Sequence, residues 1–164
     1  MKKIIQLRKF FKSYMIDGYL IPKNDNYFNE YIDKSEDRLK FISNFSGSAG
    51  FALVLKNKNY LFVDGRYTIQ AQAQSGKHFK IVTIPQKFPR DILKNEKKII
   101  IGFDPKLHNA KQLNFLFNLK NVYLKPINVN LIDILWTRPK SLIKPFFFLS
   151  QKKTGKNSNE KIKL

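Results

Sequence analysis

Apolar positions along this chain follow two periods, and the switches between them mark out the elements. Ile4, Leu7, Phe11 and Tyr14 recur at helical spacing, while Lys2, Lys3, Arg8, Lys9 and Lys12 mostly fill the other side, which predicts an amphipathic helix over residues 2–14. A basic amphipathic helix can lie on a membrane, but docking on a sheet is the commoner use of such a face. Asp17-Gly18 reads as a turn and Tyr19-Leu20-Ile21 as a short strand that Pro22 stops. Residues 23–34 are polar and aromatic without a period and read as a loop. Ser35 then reads as a helix N-cap, with Glu36 and Asp37 in the first turn and Leu39, Ile42 and Phe45 on the buried face.

After a Ser-Gly-Ser-Ala-Gly loop bracketed by Gly47 and Gly50, Phe51 to Leu55 is an unbroken apolar run of strand length. Asn57-Lys58-Asn59 is turn chemistry and Tyr60 to Val63 a second strand, so the two form a hairpin. A helix rich in Ala and Gln follows from about Tyr67 to Ser75, with Gly76 as its C-cap. Phe79–Ile84 is strand-like, and Pro89 opens a short helix over 88–95. Ile99–Phe103 is the most apolar strand, hence expected at the centre. Asn109 caps a helix reaching about Leu119 with Leu113, Leu116 and Phe117 inward, Val122–Leu124 is a sixth strand, and Leu131–Trp136 makes one or two helical turns. Strands alternating with helices predict a three-layer α/β/α domain with a mostly parallel sheet of about six strands, which the hairpin makes mixed. Beyond Trp136 the pattern fails, and no segment repeats internally. The organisation expected is an α/β domain over 1–137 and a basic linker over 138–164 that leads toward a second domain and is partly flexible.

Composition adds mainly exclusions. At 164 residues, with 43% hydrophobic positions, the chain is long enough to bury a core without disulfide or metal staples. It has no cysteine, so a thiol nucleophile, a disulfide framework and a thiolate metal site are excluded. Its two histidines, His78 and His108, are too far apart for a helical metal motif. No apolar run reaches membrane-spanning length and no signal-peptide core follows the N-terminus, so a cytoplasmic location is expected. The net charge of +19 raises nucleic acid as a partner. However, residues 137–164 alone hold eight Lys or Arg against one acid, and the abundance of Lys, Asn, Ile and Phe is what AT-rich coding sequence produces.

Two loops carry candidate chemistry. Asn44 to Gly50 is glycine-rich, but it follows a helix and opens a strand, the reverse of a phosphate loop. A tight connection is the stronger reading and a phosphate cradle the weaker one. Ser46 and Ser48 have no nearby base in sequence. Asp64-Gly65-Arg66-Tyr67 sits at the C-terminal end of a strand, where α/β sheets place functional groups. Arg66 offers a fork for a carboxylate or phosphate; alternatively Asp64 caps the next helix and Arg66 is a solvated or locally paired charge. Asp33, Glu36 and Asp37 are explained by a helix start and Asp104 by the turn at Pro105. His108 reads as a loop residue and His78 as half exposed. No catalytic constellation assembles from these residues.

The ordered set of short motifs resembles the N-terminal domain of Xaa-Pro aminopeptidases, in the creatinase/prolidase superfamily. It comprises Ile21-Pro22, Asn29-Glu30-Tyr31-Ile32, Arg38, Phe45-Ser46-Gly47-Ser48-Ala49-Gly50, Asp64-Gly65-Arg66-Tyr67 and Gln70-Ala71. It continues through Ile101-Gly102-Phe103-Asp104-Pro105, Asn130-Leu131-Ile132-Asp133, and Trp136 with Arg138 and Pro139. Thr154-Gly155 through Lys161-Ile162 resembles the entry to a second domain. Thr68 departs from the pattern, where an aromatic is common. The resemblance implies a ribonuclease-H-like sheet in a non-catalytic domain that shapes a substrate cleft and supports dimerisation. It places the hydrolytic chemistry in a separate domain with two metal ions, usually manganese, so no metal ligand and no cofactor are expected in this chain. Arg66 would reach a peptide substrate with proline at its second position, while Gly47, Ser48, Gly50, Asp64, Gly65 and Tyr67 would form the supporting loops. The rival readings are a stand-alone basic module that binds nucleic acid, and a subunit that pairs with a separately encoded catalytic chain through the Phe146–Leu149 patch.

Overall fold

In the computed structural model, which describes residues 1–141 and 145–163, the two apolar periods become layers. In chain order the elements are α1 (Lys2–Ser13), β1 (Gly18–Pro22), α2 (Arg38–Ser43), β2 (Gly50–Leu55), β3 (Asn59–Asp64), a 3-10 turn (Gly65–Tyr67), α3 (Thr68–Ser75) and β4 (Lys80–Ile84). Next come α4 (Pro89–Leu93), β5 (Ile99–Phe103), a 3-10 turn (Pro105–Leu107), α5 (Ala110–Phe117), β6 (Val122–Pro126), α6 (Leu131–Leu135), α7 (Gln151–Thr154) and α8 (Ser158–Ile162). Of the stretch that Pro139 and Pro145 flank, residues 142–144 lie outside the described residues, as does residue 164.

The six strands form one sheet in the order β4-β3-β2-β1-β5-β6. β2 pairs antiparallel with both neighbours, Leu53 opposite Leu20 on one side and Ala52 opposite Leu61 on the other. The pairs β3–β4, β1–β5 and β5–β6 are parallel. Five strands therefore run one way and β2 alone runs back. The expected mixed, mostly parallel sheet is present. β5 has parallel partners on both sides but lies second from an edge, not at the centre as its apolarity suggested; coverage on both faces, not central rank, is what selects Ile99–Phe103.

Alternation within each strand feeds two cores. Tyr19, Ile21, Ala52, Val54, Leu61 and Val63 join Ile4, Leu7 and Phe11 of α1, Leu39 and Ile42 of α2, Ala71 of α3, and Leu131 and Ile132 of α6. Leu20, Leu53, Leu55, Tyr60, Phe62, Ile99, Ile101 and Phe103 join Leu93 of α4 and Leu113, Leu116 and Phe117 of α5. The crossover from β3 to β4 and that from β5 to β6 step in opposite directions across the sheet, so one handedness puts α3 and α5 on opposite faces.

Local chemistry revises two helix ends. The cap of α2 is Asp37, whose Oδ1 accepts from the Lys40 amide at 3.0 Å. Ser35 is instead held in the preceding turn, its amide and hydroxyl both donating to Asp33 Oδ1. The carboxylate of Asp37 reaches the orphan amide from one residue before the first turn, while Ser35 is engaged by Asp33 and is not free to cap. Gly76 does end α3, but in right-handed conformation (φ −58°) with its amide on Gln72 O.

The chain after α6 is tied back to α2. Arg38, 4% exposed, donates from Nε and Nη2 to the two carboxylate oxygens of Asp133, both at 2.8 Å, and from Nη1 to Glu36 Oε2 at 2.7 Å. Arg138 pairs with Glu36 and donates through Nε to Ser35 O at 2.8 Å. Trp136 stacks on Phe41 with centroids 5.0 Å apart. α7 and α8 are exposed, and the hydrogen bonds of residues 150–163 stay within that segment.

This asymmetry sets an order of costs. Asp133→Ala strands a buried guanidinium with one carboxylate partner and is expected to cost about 3 kcal/mol. Arg38→Met removes the buried charge and leaves two partly hydrated acids, and is expected to cost less. Urea unfolding of both variants checks the order.

Candidate functional site

Because β2 runs against its neighbours, its entry at Gly50 lies at the same sheet edge as the exits of β1 and β3. The loops 23–37, 44–50 and 64–67 therefore crowd one edge, where α/β sheets carry their sites. All seven site residues singled out from sequence lie there.

Asp64 ends β3 with extended backbone, and its Oδ1 accepts from the Arg66 amide at 2.9 Å, capping the 3-10 turn. Arg66 Nε donates to the same oxygen at 2.9 Å. The Asp64 carboxyl is held below its usual value, first by that side-chain bond and then by the Arg66 amide; the acid in turn raises Arg66. The Arg66 side chain is nonetheless 77% exposed, and among the described residues Nη1 has no partner. The second of the two sequence readings is the one seen: Asp64 is a cap, and Arg66 is locally paired with it through Nε, with Nη2 3.5 Å from Asp64 Oδ2. Thr68 donates its hydroxyl to Gly65 O at 3.0 Å.

The loop entering β2 is packed against this turn. Ser48 Oγ and Tyr67 Oη are 2.7 Å apart, and the Phe45 ring meets Tyr67 edge-on at 5.8 Å. Gly47 lies on the same Phe45 ring: a Cβ there would come 2.2 Å from Cζ. Gly50 has φ +155°, and its Cβ would meet Phe62 O at 2.8 Å. These glycines serve close packing. Ser46 completes the lock, its amide donating to Gln74 Oε1 and its hydroxyl accepting from Gln70 and Gln74 Nε2, each at 2.9 Å. Its hydroxyl is occupied in holding the loop on α3, with no base beside it.

Sequence reasoning did not find three further features of this edge. Asp25 is buried, and its Oδ1 accepts from the amides of Tyr27 (2.9 Å) and Asn29 (3.1 Å) while Oδ2 accepts from Asn29 Nδ2 (2.7 Å). Burial pushes this carboxyl up, but the bonds outweigh it and hold it below the ordinary range. Asp104 is buried too: Oδ2 accepts from Asn130 Nδ2 at 2.8 Å and Oδ1 from the Lys106 amide at 2.9 Å. His108, read as an ordinary loop residue, is buried against Phe103, and neither ring nitrogen is hydrogen-bonded. His78 is half-buried as expected. The one available signal was spacing: Asp25–Asn29 and Asp104–Lys106 are turn-forming pairs, yet their depth depends on which loops pack over them.

Among the described residues no three His, Asp or Glu side chains gather as a metal site, so the residues present do not fit a dinuclear metal centre. No helix among them is long and apolar enough to cross a membrane.

What these features define is an α/β domain with a polar, hydrogen-bonded loop cluster on one sheet edge. The Creatinase/Prolidase N-terminal domain family matches residues 3–133, and the chain belongs to that family. It is 33% identical over 174 aligned positions to a probable Xaa-Pro aminopeptidase P of Coprinopsis cinerea, covering 99% of this chain and 28% of the relative. The chain thus spans under a third of the length of that curated relative. It superposes on an X-prolyl aminopeptidase of Caenorhabditis elegans, described as a cytosolic enzyme with a di-nuclear active site, with TM-score 0.79 and 27% identity over 99% of this chain and 30% of that one. The N-terminal domain of a cytoplasmic peptidase of Mycobacterium tuberculosis, 21% identical over 82% of this chain and 98% of that one, shares the fold at TM-score 0.63.

Two outcomes test the site's packing and charge. Gly47→Ala must displace the Phe45 ring and is expected to cost about 1–3 kcal/mol, read by thermal unfolding. Burial lowers the His108 pKa from 6.5 to about 4, offset only in part by neighbouring Gln112 and the Asp104 charge. The unfolded chain then binds the proton first as pH falls. The contribution of neutral His108 is full above pH 6.5 and is lost between 6.5 and 4, by roughly 3 kcal/mol in all. In His108→Leu this component of the pH dependence disappears, which urea titrations from pH 7 to 4 detect as a shallower slope.

Proposed function

We propose that this chain is the non-catalytic N-terminal domain of a metal-dependent Xaa-Pro aminopeptidase, in which it forms one wall of the substrate cleft and supports dimerisation. The supporting observation is the exposed Arg66 guanidinium at the loop-bearing sheet edge, oriented by Asp64 and still offering free donors. Planar fork geometry suits a peptide carbonyl or carboxylate. Gly47, Ser48, Gly50, Asp64, Gly65 and Tyr67 hold the loops that position it. The two metal ions, manganese in this reading, belong to the catalytic domain of such an enzyme. The substrate is a peptide with proline second, and the location is cytoplasmic, as for the nematode relative.

In the same reading the autonomous domain ends near residue 137. Arg138 and Trp136 clasp the end of α6 to α2, and residues 138–164 form a basic linker whose exposed Phe146, Phe147 and Phe148 would be covered by the catalytic half of the enzyme or by a partner. Nucleic acid remains the rival partner only through the net charge of +19; such binding would fall by about 10³ or more between 50 and 200 mM salt if several phosphates were engaged.

The purified 164-residue chain is expected to release no N-terminal residue from an Xaa-Pro peptide, with or without manganese; turnover by it would overturn the proposal. When it is joined to a family catalytic domain, Arg66→Ala is expected to raise KM by about tenfold or more, with Arg66→Lys intermediate. An unchanged KM would remove Arg66 from the substrate site.

A further inference from the structure

The loop between β1 and α2 spends its polar groups on holding aromatic rings away from the protein. Asp25 accepts three bonds from Tyr27 and Asn29, and the Phe28 amide donates to Asp25 O at 3.3 Å. Phe28 stands at φ +57°, a left-handed conformation that a bulky residue adopts only when its surroundings impose it. A second clasp lies at Asp33, which takes the Ser35 amide and hydroxyl, while the Glu36 amide donates to Asp33 O. The outcome is apolar surface in water: Tyr27 is 84% exposed, Phe28 46% and Tyr31 82%. A loop selected only for stability would turn such rings inward or replace them with small polar residues.

This loop leaves β1 two strands from the end of β3, roughly 10 Å along the sheet edge. Lys23 N donates to Gly50 O at 3.1 Å, which ties its base to the loop behind Arg66. Arg66 and the three rings therefore share one edge and one rigid base. A peptide reaching Arg66 in extended conformation has the loop within two or three residues of its path.

We infer that the Asp25–Tyr31 loop is a second substrate-contacting element, whose rings take the prolyl and following residues of the peptide that Arg66 engages. This rests on the peptide-binding reading of Arg66. The chemistry is specific to proline: its ring is apolar, lacks an N–H to leave unsatisfied, and pre-orders the chain into the extended helix that aromatic surfaces recognise at small entropic cost. Two tyrosines add hydroxyls that bond the free carbonyls of such a backbone without demanding donors from it.

The test uses the 164-residue chain, labelled for nuclear magnetic resonance of its backbone and aromatic rings, titrated with Ala-Pro-Pro-Ala and with Ala-Ala-Ala-Ala. The prolyl peptide is expected to shift the Tyr27, Phe28 and Tyr31 ring signals and to bind more tightly than the alanyl one, with each of Tyr27→Ser and Tyr31→Ser lowering affinity about 2- to 12-fold. Both tyrosines are exposed, so the variants should unfold at the parent's temperature. Arg66→Ala is expected to weaken both peptides while preserving the preference for proline. Ring shifts without an Arg66 response would support the loop's role and overturn the reading of Arg66. An Arg66 response with silent rings, equal affinity for the two peptides, or no response at millimolar peptide would overturn the inference.

Discussion

β2 is hydrogen-bonded on both sides to strands that run against it, and the placement of every functional feature depends on that reversal. In a wholly parallel sheet, each strand's entry lies at the edge opposite its exit, so a loop entering β2 could not touch a loop leaving β3. Here Gly50 opens β2 beside Val63, at the edge where Asp64 begins its turn. Ser48 thereby reaches Tyr67, whose ring Phe45 meets edge-on. Pro22 at the end of β1 pairs with Phe51, which brings the aromatic loop to the same place. The requirement that the entering backbone pass close to Phe62 O is what Gly50 answers, and it is a demand of register before it is one of function.

The sequence made the layers legible because the inner strands β1, β2, β3 and β5 are mostly buried on both faces, and unbroken apolar runs such as Phe51–Leu55 and Ile99–Phe103 are what that environment requires. The hairpin at Asn57–Asn59 announced one antiparallel pair. The second, β1 with β2, was hidden, because the intervening 27 residues contain a helix and give no turn to read. Apolarity ranked β5 as central, but a strand covered by α5 on one face and by the Ile127 side of the first core on the other is as dry in fifth place as in third. Ser35 and Asp37 are equally good caps by type, and only the geometry of Asp33 decides between them.

The buried polar groups were the least legible part. Helical spacing around Arg38 carries no sign of its burial, yet it is among the most buried polar side chains described, because Asp133 arrives from 95 positions away with two oxygens in fork geometry. Asp25, Asp104 and Asn130 likewise sit where several loops converge, and a single chain read residue by residue has no term for convergence. Their amide partners lie within the same loop, two to four residues on, so each acceptor fixes its own turn, and the Asn130–Asp104 bond joins two of the loops. The ion network does the same for the end of α6: with Trp136 on Phe41 and Arg138 on Glu36, the chain beyond α6 is anchored to α2.

Arg66 shows why an exposed residue needs such a frame. A free arginine loses much of its side-chain entropy when it binds, and that loss subtracts from whatever its hydrogen bonds contribute. Asp64 has already restricted the guanidinium through Nε, and the Asp64 carboxylate is itself fixed by the Arg66 amide. Less freedom is then lost on meeting a ligand, and the unpartnered Nη1 donor points from a defined position. The arrangement has a cost in charge, since a carboxylate shared with Nε weakens attraction for a second anion. It therefore favours a neutral acceptor, a peptide carbonyl over a free carboxylate. That preference agrees with a wall that guides the middle of a peptide, where carbonyls are all the backbone has to offer, and leaves capture of the chain ends to other groups.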